Sequence, residues 1–547
     1  MRNFYTEDKT LRRLLEEKLP ADFFEYADRE LEEFGRLCAG PIDTRAVHTD
    51  REGEPKLVRY DKMGNEVSRV WLNEGYRKTI QETYDTGIVG YLHKEIPELG
   101  RIGNYVYAFS QGYLLSHAEP GFYCPVTLSK ATAYLIDRYA DARLKEKFLP
   151  HVLSTGEVEL YEGATFLTER QGGSDVGANE VEAVKTGDHY EISGEKYFAS
   201  NAGACGVAMV LARIDGAQAG TRGLSLFLVP WEENRQKGKL RIRRLKDKLG
   251  VRAVPSGEVE FEGAKGYLVG EAERGFYYMM EALNLSRVSN AVASLGIMKR
   301  AYLEARNYAM EREAFGNKLT AYPMVKETLS NLAAKQEVEL QALFEVIELM
   351  DRVMGTERNA SAEEELLFRL YVAIMKKESA EQAIHFAHEA IEMHGGNGYI
   401  EDFVTPRLLR DAQVLTVWEG TANILGLEVL RLIGKYNADE IFSEELSGRL
   451  DGVADSGWKD KVKAELDKLE KQINQVKKLS PEMQTYYTKR LAEGMAAVFE
   501  SVVALEMTDH GNNRQKAVSE VFLHSVWEHD AIVETPPAIA KFEEINR

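Results

Sequence analysis

The stretch RDAQVLTVWEGTANI, residues 410–424, carries the strongest structural and chemical signal in this chain. It places the carboxylate of Glu419 between the bulky Trp418 and Gly420. Such surroundings disfavour the charged form of a glutamate, so we expect the pKa of Glu419 to rise toward the working range of a general base. Gly420 lacks a β-carbon and would let a ligand approach the backbone closely. Alternatively, the stretch is an ordinary helix start, with Thr421 as the capping residue and Glu419 favoured by the helix dipole.

The length and composition around this stretch are those of a multidomain globular protein. The 547 residues exceed what one hydrophobic core can hold, and 44% of them are hydrophobic, which is enough for several full cores. The formal net charge of −19 disfavours binding to nucleic acid or to an anionic membrane.

The cysteines and the N-terminus bear on the compartment. Cys38, Cys124 and Cys205 lie far apart and form no C-x-x-C pair, so we expect neither a disulfide framework nor a metal site. Residues 1–8 lack the apolar segment of a secretion signal, and no run of about 18 apolar residues occurs. We therefore expect a cytoplasmic protein with no membrane span.

Hydrophobic periodicity divides the chain into four regions. Residues 1–159 are mostly helical, with a β-prone, glycine-punctuated insertion at 53–68 that predicts a hairpin. Short alternating segments between turns predict a β-domain over 160–272, where strands connected by helices, as in a parallel sheet, are not expected. Long helical periods over 273–436 predict a helix bundle, and residues 437–547 predict a charged helical extension. The predicted fold class is α+β, multidomain.

A glycine-rich turn opens the predicted β-domain. The sequence TERQGGSDV, residues 168–176, brackets a glycine pair with the hydroxyls of Thr168 and Ser174. Backbone N–H groups and short donors around such a turn can bind a phosphate or a polar heterocycle. The same composition is also typical of a plain surface turn.

Two further motifs lie at helix ends. In REAFG, residues 312–316, Arg312 could pair with a phosphate while Phe315 lies against a ring, although an arginine there also interacts favourably with the helix dipole. In HGGNGY, residues 394–399, the glycines could belong to a ligand-binding loop or to a helix C-cap. The usual glycine-rich dinucleotide and P-loop motifs are absent from the sequence.

Taken in order and spacing, these motifs resemble the acyl-CoA dehydrogenase family over about residues 80 to 435. The resemblance also includes GEKYFASN, residues 194–201. The stretch VRYD at 58–61, the Gln-Gly-Gly-Ser-Asp variant at 171–175, Trp418 before the glutamate and the extra C-terminal helices are more similar to the AidB-like branch of that family.

The resemblance implies an FAD-dependent dehydrogenase in which Glu419 removes the α-proton of an acyl-CoA and the β-hydrogen leaves as hydride to flavin N5, giving a trans-2-enoyl-CoA. The Glu419 backbone N–H, together with a flavin ribityl hydroxyl, would hold the thioester oxygen. For substrate binding it implies Ser174, Arg287 and Gly420. For cofactor binding it implies Phe166, Thr168, Ser174, Phe198, Ala199, Ser200, Arg312, Phe315, Gly395, Gly396, Thr421 and Asn423.

Several residues depart from the family pattern. Phe198 and Ser200 stand where many members have tryptophan and threonine, so flavin packing and one hydrogen bond could differ. Asn284 replaces a frequent aspartate near the acyl-CoA, and Glu392 replaces a frequent glutamine near the cofactor.

The resemblance also implies partners: an electron-transferring flavoprotein and a second copy of the chain, in a homodimer or a homotetramer, with Arg312 and Phe315 reaching a neighbouring subunit's FAD. An oxygen-using flavin oxidase is a second enzyme hypothesis, although the related nitroalkane oxidases use an aspartate where Glu419 stands. A third is an AidB-like flavoprotein with weak dehydrogenase activity and a stress-response or nucleic-acid-binding role. Residues 437–547 hold 14 Lys and Arg against 21 Asp and Glu, so nucleic-acid binding is not expected.

Overall fold

The computed structural model describes residues 2–454 and 456–546, which form two compact units. The first unit contains residues 2–7 and 20–289, and the second contains residues 8–19 together with the described residues from 290 onward. Met1, in the predicted region 1–159, and Asp455 and Arg547, in the predicted extension 437–547, lie outside the described residues.

The helices and strands follow in chain order. The α-helices are α1 (Lys9–Lys18), α2 (Ala21–Leu37), α3 (Asp43–Arg51), α4 (Glu74–Tyr84), α5 (Tyr105–Ala118), α6 (Pro120–Tyr139), α7 (Ala142–Val152), α8 (Trp231–Gln236), α9 (Gly275–Glu311), α10 (Pro323–Met354), α11 (Ala362–His394), α12 (Thr405–Leu415), α13 (Ala422–Tyr436), α14 (Ala438–Gly452), α15 (Gly457–Val476), α16 (Pro481–His510), α17 (Asn513–Trp527), α18 (Pro537–Ala540) and α19 (Phe542–Asn546). The strands are β1 (Lys56–Tyr60), β2 (Glu66–Trp71), β3 (Glu95–Ile96), β4 (Arg101–Ile102), β5 (Gly163–Phe166), β6 (Glu182–Thr186), β7 (His189–Ser200), β8 (Val207–Ile214), β9 (Leu224–Pro230), β10 (Leu240–Leu245), β11 (Ser256–Val269), β12 (Glu313–Ala314) and β13 (Asn317–Lys318).

Two helices of the first unit, α5 and α6, are buried on almost every side. The sequence of α5 carries no Asp, Glu, Lys or Arg, which is typical of a helix enclosed by its own domain. Asn104 caps α5 by accepting a hydrogen bond from the backbone N–H of Tyr107 at 2.9 Å. Pro120 occupies the first turn of α6, where its missing N–H costs no helix hydrogen bond.

The predicted hairpin at 53–68 is confirmed. Strands β1 and β2 pair antiparallel, and the carboxylate of Asp61 accepts hydrogen bonds from the backbone of Met63 and Asn65 across the turn. Such a loop forms from local sequence alone, because an aspartate that bonds to the backbone two residues later favours a tight turn.

The β-domain is a seven-stranded sheet with the order β10-β11-β7-β6-β8-β5, in which β9 pairs with both β11 and β8. Most pairings are antiparallel, but β5 and β6 each pair with β8 in parallel. We expected no strands connected by helices as in a parallel sheet, and neither of these parallel pairs has a crossover helix. The structure shows that the β6–β7 hairpin, and not a helix, returns the chain to the parallel position. A core that includes Phe166, Phe227 and Trp231 packs within this domain.

A buried polar group joins the helices of the first unit to the start of β5. Glu162 is 4% exposed, and its Oε1 accepts a hydrogen bond from the hydroxyl of Tyr84 at 3.0 Å. The same hydroxyl lies 2.8 Å from the Oγ of Ser129 on α6. Burial raises the pKa of Glu162 to about 7, and the hydrogen bonds from Tyr84 and Asn201 offset only part of this effect.

Glu162 should make the stability of the protein depend on pH. Between the ordinary value of 4.5 and about 7, the folded state keeps a proton on Glu162 that the unfolded chain has released. The free energy of unfolding therefore falls as the pH rises through this window, by about 3 kcal/mol in total. Glu162→Gln cannot ionise but keeps an oxygen for Tyr84, so it should remove this fall. Urea unfolding at about pH 5 and about pH 8 measures the difference. The exposed Glu159→Gln is the control, and equal pH slopes in both variants would contradict the assignment.

The second unit is a helix bundle with the extension packed onto it. Helix α11 contacts both α10 and α13, and α16 of the extension contacts all three of these helices. Helix α17 packs against α10 and α16. Within the described residues, no helix is both long enough and apolar enough to cross a membrane.

A buried charge cluster lies where the extension meets the bundle. The ammonium of Lys335 on α10 is 2.8 Å from a carboxylate oxygen of Glu378 on α11, 2.7 Å from Glu500 on α16 and 3.2 Å from Glu339. The side chains of Glu339 and Glu500 are 0% and 2% exposed. Although three carboxylates converge here as they could around a metal ion, the ammonium of Lys335 contacts all three.

Candidate active site

The loop between α12 and α13 holds Glu419 in an unusual backbone conformation. Its φ is +53°, in the left-handed region that side chains other than glycine rarely adopt, and Gly420 follows with φ +108°. A left-handed residue that is not glycine costs about 1–3 kcal/mol and persists only where its surroundings enforce it. Glu419 as a whole is half-buried.

Asn290 on α9 binds this loop directly. Its side-chain Nδ2 donates to the Glu419 Oε2 at 2.9 Å and to the backbone oxygen of Leu415 at 3.2 Å. Sequence reasoning missed Asn290 because 129 positions separate it from Glu419. The local signal was an asparagine within the apolar helical stretch SNAVASLG, residues 289–296.

Lys376 on α11 holds the other side of the loop. Its Nζ donates to the backbone oxygen of Gly420 at 2.7 Å, and the residue is 1% exposed. The sequence also gave no signal for this contact, since Lys376 precedes Gly420 by 44 positions. The loop that carries Glu419 is therefore held from two different helices.

The helix-start interpretation of this stretch is correct for the backbone, which begins α13 here, but not for the side chain of Thr421. Thr421 occupies the N-cap position of α13, but its side chain makes no capping hydrogen bond. Thr421 and Asn423 are both exposed. The Thr421 hydroxyl therefore does not have the capping role considered from the sequence.

In the first unit, a buried ion pair fixes the turn at 168–174. The carboxylate of Glu169 accepts hydrogen bonds from the Lys196 Nζ at 2.7 Å and from the backbone N–H groups of Glu180 and Val181 at 2.6 and 3.3 Å. Burial lowers the pKa of Lys196 to about 8, although Glu169 offsets part of this effect. The pair ties the turn to β7, and neither residue was singled out from the sequence.

The turn itself is closely packed at one glycine. A β-carbon at Gly173 would lie 2.6 Å from the Oγ1 of Thr168, so only glycine fits there without movement. Ser174 is exposed and Thr168 is half-buried. The two hydroxyls are thus presented by a fixed backbone.

The end of β7 presents an aromatic side chain. Phe198 is 55% exposed, and the Lys246 Nζ lies 4.7 Å from the centre of its ring. Ser200 is half-buried, whereas Ala199 is fully buried. Phe166 is also buried, with its ring against Trp231, so Phe166 and Ala199 could contact a cofactor only through their backbones.

The remaining candidate residues of the second unit are exposed. Helix α9 ends at Glu311, and Arg312 follows it directly. Phe315 lies in the turn of the hairpin β12–β13 and is 96% exposed. Gly395 is the C-cap residue of α11 with φ +59°, as one interpretation of the motif predicted. Apart from the neighbouring residues in the chain, no described atom would lie within 4 Å of a β-carbon at Gly395 or Gly396.

A contact brings the two exposed segments together. The hydroxyl of Tyr308 on α9 accepts a hydrogen bond from the Asn397 Nδ2 at 3.1 Å, and the Tyr308 ring lies 4.2 Å from the ring of His394. The end of α9 and the glycine loop after α11 therefore belong to one surface of the second unit.

Comparison with known proteins identifies this arrangement. Models of the acyl-CoA dehydrogenase middle and C-terminal domains match residues 164–264 and 273–433, and a model of the N-terminal domain of the adaptive response protein AidB matches residues 1–156. Acyl-CoA dehydrogenase family member 11 of Caenorhabditis elegans is 31% identical over 495 residues, which cover 88% of this chain and 78% of that protein. The chain belongs to the acyl-CoA dehydrogenase family.

Within the acyl-CoA dehydrogenases, the chain belongs to the AidB-like branch. The putative acyl-CoA dehydrogenase AidB of Escherichia coli K12 is 32% identical over 391 residues, or 70% of this chain and 69% of that protein. The crystal structure of Caenorhabditis elegans ACDH-11 in complex with C11-CoA is similar with a TM-score of 0.88 and 26% identity, covering 100% of this chain and 93% of that one. These findings confirm the predicted family and fold class, an FAD-dependent oxidoreductase, and FAD as the cofactor.

The residues present fit the FAD of an acyl-CoA dehydrogenase. An isoalloxazine needs an apolar face, which the exposed ring of Phe198 offers, and the pyrophosphate needs donors such as the exposed guanidinium of Arg312. Gly395 and Gly396 leave open space beside their backbones, where a cofactor can approach closely.

Arg287 and Asn284 occupy neighbouring turns of α9. The Nη1 of Arg287 donates to the Asn284 Oδ1 at 3.3 Å, and Arg287 is 9% exposed. The asparagine that replaces the frequent acyl-CoA dehydrogenase aspartate thus accepts a hydrogen bond from this arginine.

A separate polar cavity of about 490 Å³ lies in the second unit and is lined by residues that include Arg13, Glu345, Arg449 and Glu506. None of the residues assigned to FAD or acyl-CoA lines it. Its arginines are ion-paired with its glutamates, so we do not assign the cavity to the dehydrogenase site.

Proposed function

We propose that this chain oxidises an acyl-CoA thioester between its α and β carbons, with Glu419 as the base that takes the α-proton. The observation that carries this proposal is the setting of Glu419. Its carboxylate belongs to a half-buried, left-handed loop residue, with one oxygen held by the side chain of Asn290. A carboxylate that is held in place can act as a general base.

The loop offers a second chemical group. The α-proton of a thioester is only weakly acidic, and a hydrogen bond to the thioester oxygen stabilises the negative charge that develops there when the proton leaves. We assign this hydrogen bond to the backbone N–H of Glu419, so that one residue supplies both the base and the hydrogen-bond donor. FAD, when bound, accepts the β-hydrogen as a hydride.

The cofactor contacts are proposed for each unit separately. In the first unit we assign Thr168, Ser174, Phe198 and Ser200 to the flavin, because a glycine-rich turn and a strand end present them to solvent. In the second unit we assign the following residues to FAD: Arg312, Phe315, Gly395, Gly396, Thr421 and Asn423.

The substrate class has support from a relative. The neighbouring structure with 26% identity contains C11-CoA, which supports an acyl-CoA as the substrate here. We assign Ser174, Arg287 and Gly420 to its binding. We further propose an electron-transferring flavoprotein as the acceptor of the electrons.

We also propose a homodimer or a homotetramer. Phe315, almost fully exposed, and the exposed Arg312 extend from one surface of the second unit. In the family resemblance these positions reach the FAD of a neighbouring subunit. An exposed aromatic side chain of this kind is typical of an interface.

The alternative, an AidB-like flavoprotein that binds nucleic acid through the extension, has less support. Two basic side chains of the extension are paired with acids: Lys468 lies 2.9 Å from Glu465, and Lys477 lies 2.7 Å from Asp439. Phosphate binding needs clustered basic residues that are not already neutralised.

The test is whether the purified protein is yellow and is bleached by acyl-CoA. FAD should survive desalting, and a panel of acyl-CoAs should reduce it under anaerobic conditions. Arg312→Ala should lose FAD more readily than it loses fold, whereas the exposed Arg490→Ala on α16 should retain it. A colourless protein that FAD cannot reconstitute would overturn the dehydrogenase proposal. A monomer that holds stoichiometric FAD would overturn the proposed role of Arg312 across a subunit boundary.

A further inference from the structure

The loop that carries Glu419 is held by two side chains that belong to none of the recognised motifs. Asn290 binds the Glu419 carboxylate and the end of α12, and Lys376 binds the oxygen of Gly420. Both are nearly fully buried, at 4% and 1% exposure. A charged and a polar side chain buried at one six-residue loop require an explanation beyond packing.

The orientation of the Asn290 amide is fixed by its surroundings. Both of its hydrogen-bond partners are acceptors and not donors. The backbone oxygen of Leu415 is always an acceptor, and the Glu419 Oε2 is one when the glutamate is ionised. Rotating the amide by a half-turn would place its own oxygen against two acceptors. The donor side of Asn290 therefore faces the carboxylate.

The other side of this amide argues against a purely stabilising role. The Oδ1 of Asn290 is buried and accepts no hydrogen bond within the described residues. A buried acceptor without a partner costs about 1–3 kcal/mol. Stability alone therefore does not explain Asn290, because burial of its unpaired Oδ1 opposes the stabilisation that its N–H donor provides.

We propose that Asn290 and Lys376 are positioning residues that fix the left-handed loop and aim the Glu419 carboxylate for proton abstraction. This inference rests on the proposed function for its catalytic part. Lys376 fixes the peptide that follows Gly420, and Asn290 fixes the side chain of Glu419 itself.

The physical effect of Asn290 is twofold. A hydrogen bond to one carboxylate oxygen restricts the rotation of the side chain, which matters because a small misplacement of a reacting group can cost about 100-fold in rate. A neutral N–H donor also favours the ionised form of the carboxylate, which is the form that accepts a proton.

The positioning part can be measured in the holoenzyme without substrate. Asn290→Leu removes the donor while keeping the branched shape and the number of side-chain heavy atoms, and Asn290→Ala removes it with a smaller side chain if the leucine variant does not fold. Amide hydrogen exchange in the peptide that spans residues 415–421 should become at least about fivefold faster in either variant. Ser294→Ala is the matched control, because Ser294 is a buried residue of the same helix that bonds to the backbone of Asn290 and not to the loop. Unchanged exchange in the Asn290 variants would overturn the inference.

The catalytic part needs rapid-mixing kinetics with an acyl-CoA that reduces the wild-type flavin. Asn290→Leu should lower the limiting reduction rate about 10- to 100-fold, keep acyl-CoA binding within about threefold, and move the midpoint of the pH profile upward. A rate and pH profile equal to those of Ser294→Ala would overturn it. A wild-type protein that no acyl-CoA reduces would contradict the proposed function instead, and hydrogen exchange would then still decide the role of Asn290.

Discussion

Glu419→Gln is expected to leave FAD bound and to lower the rate of flavin reduction by an acyl-CoA about 10²- to 10⁴-fold, the usual contribution of a general base. The amide has the shape of the carboxylate and can still accept the hydrogen bond from Asn290, so the loop should keep its conformation. It cannot accept the α-proton. The loss corresponds to about 3–5 kcal/mol in the barrier.

Anaerobic rapid mixing under single-turnover conditions measures this rate directly. Glu440→Gln is the control, because Glu440 is an exposed glutamate of α14 and its substitution changes the net charge by the same amount. If Glu419→Gln reduces its flavin within about tenfold of the wild-type rate, less than about 1.4 kcal/mol is missing and another group is the base.

Lys335→Met should have the largest effect on stability, with a loss of about 3–5 kcal/mol, because it removes the single ammonium from a buried cluster of three carboxyls. Burial raises the pKa of Glu339 well above its usual range and that of Glu500 to about 7. Burial also opposes ionisation of Glu378, but Lys335 keeps the pKa of Glu378 below its usual value. Without Lys335, α16 of the extension would face uncompensated carboxyls on α10 and α11.

Thermal unfolding of the holoenzyme, combined with hydrogen exchange in α16, measures this loss and where it occurs. Lys468→Met is the matched control, because Lys468 lies 2.9 Å from Glu465 but is 62% exposed and should cost less than about 1 kcal/mol. The double variant Lys335→Met with Glu500→Gln should recover part of the loss, since it removes one of the carboxyls left behind. If Lys335→Met and Lys468→Met lose the same amount of stability, the cluster does not hold the extension on the bundle.

The elements that sequence predicted well are those with local causes. The hairpin β1–β2 follows from the turn at Asp61 to Asn65, and the long helices α10 and α11 follow from continuous helical periodicity. The glycine C-cap at Gly395 was also readable, because it depends on the residues next to it.

The features that sequence did not predict depend on contacts across long separations. Asn290 and Lys376 were missed because they meet the 419–420 loop only after α9, α11 and α12 have packed. The parallel pairing of β5 with β8 joins Gly163 to Val207, a contact that no local pattern encodes. The order of the family motifs points to Glu419 as the base that we propose, but only the structure shows which side chains hold it.

The left-handed backbone at Glu419 has a consequence for protein engineering. Glycine and asparagine adopt that conformation more readily than glutamate, so replacing Glu419 with either would relieve strain in the loop. Because we propose Glu419 as the catalytic base, a library selected only for heat resistance would then enrich substitutions that remove the proposed base. Any stabilisation campaign on this scaffold therefore has to keep residue 419 constant or score catalysis in every round.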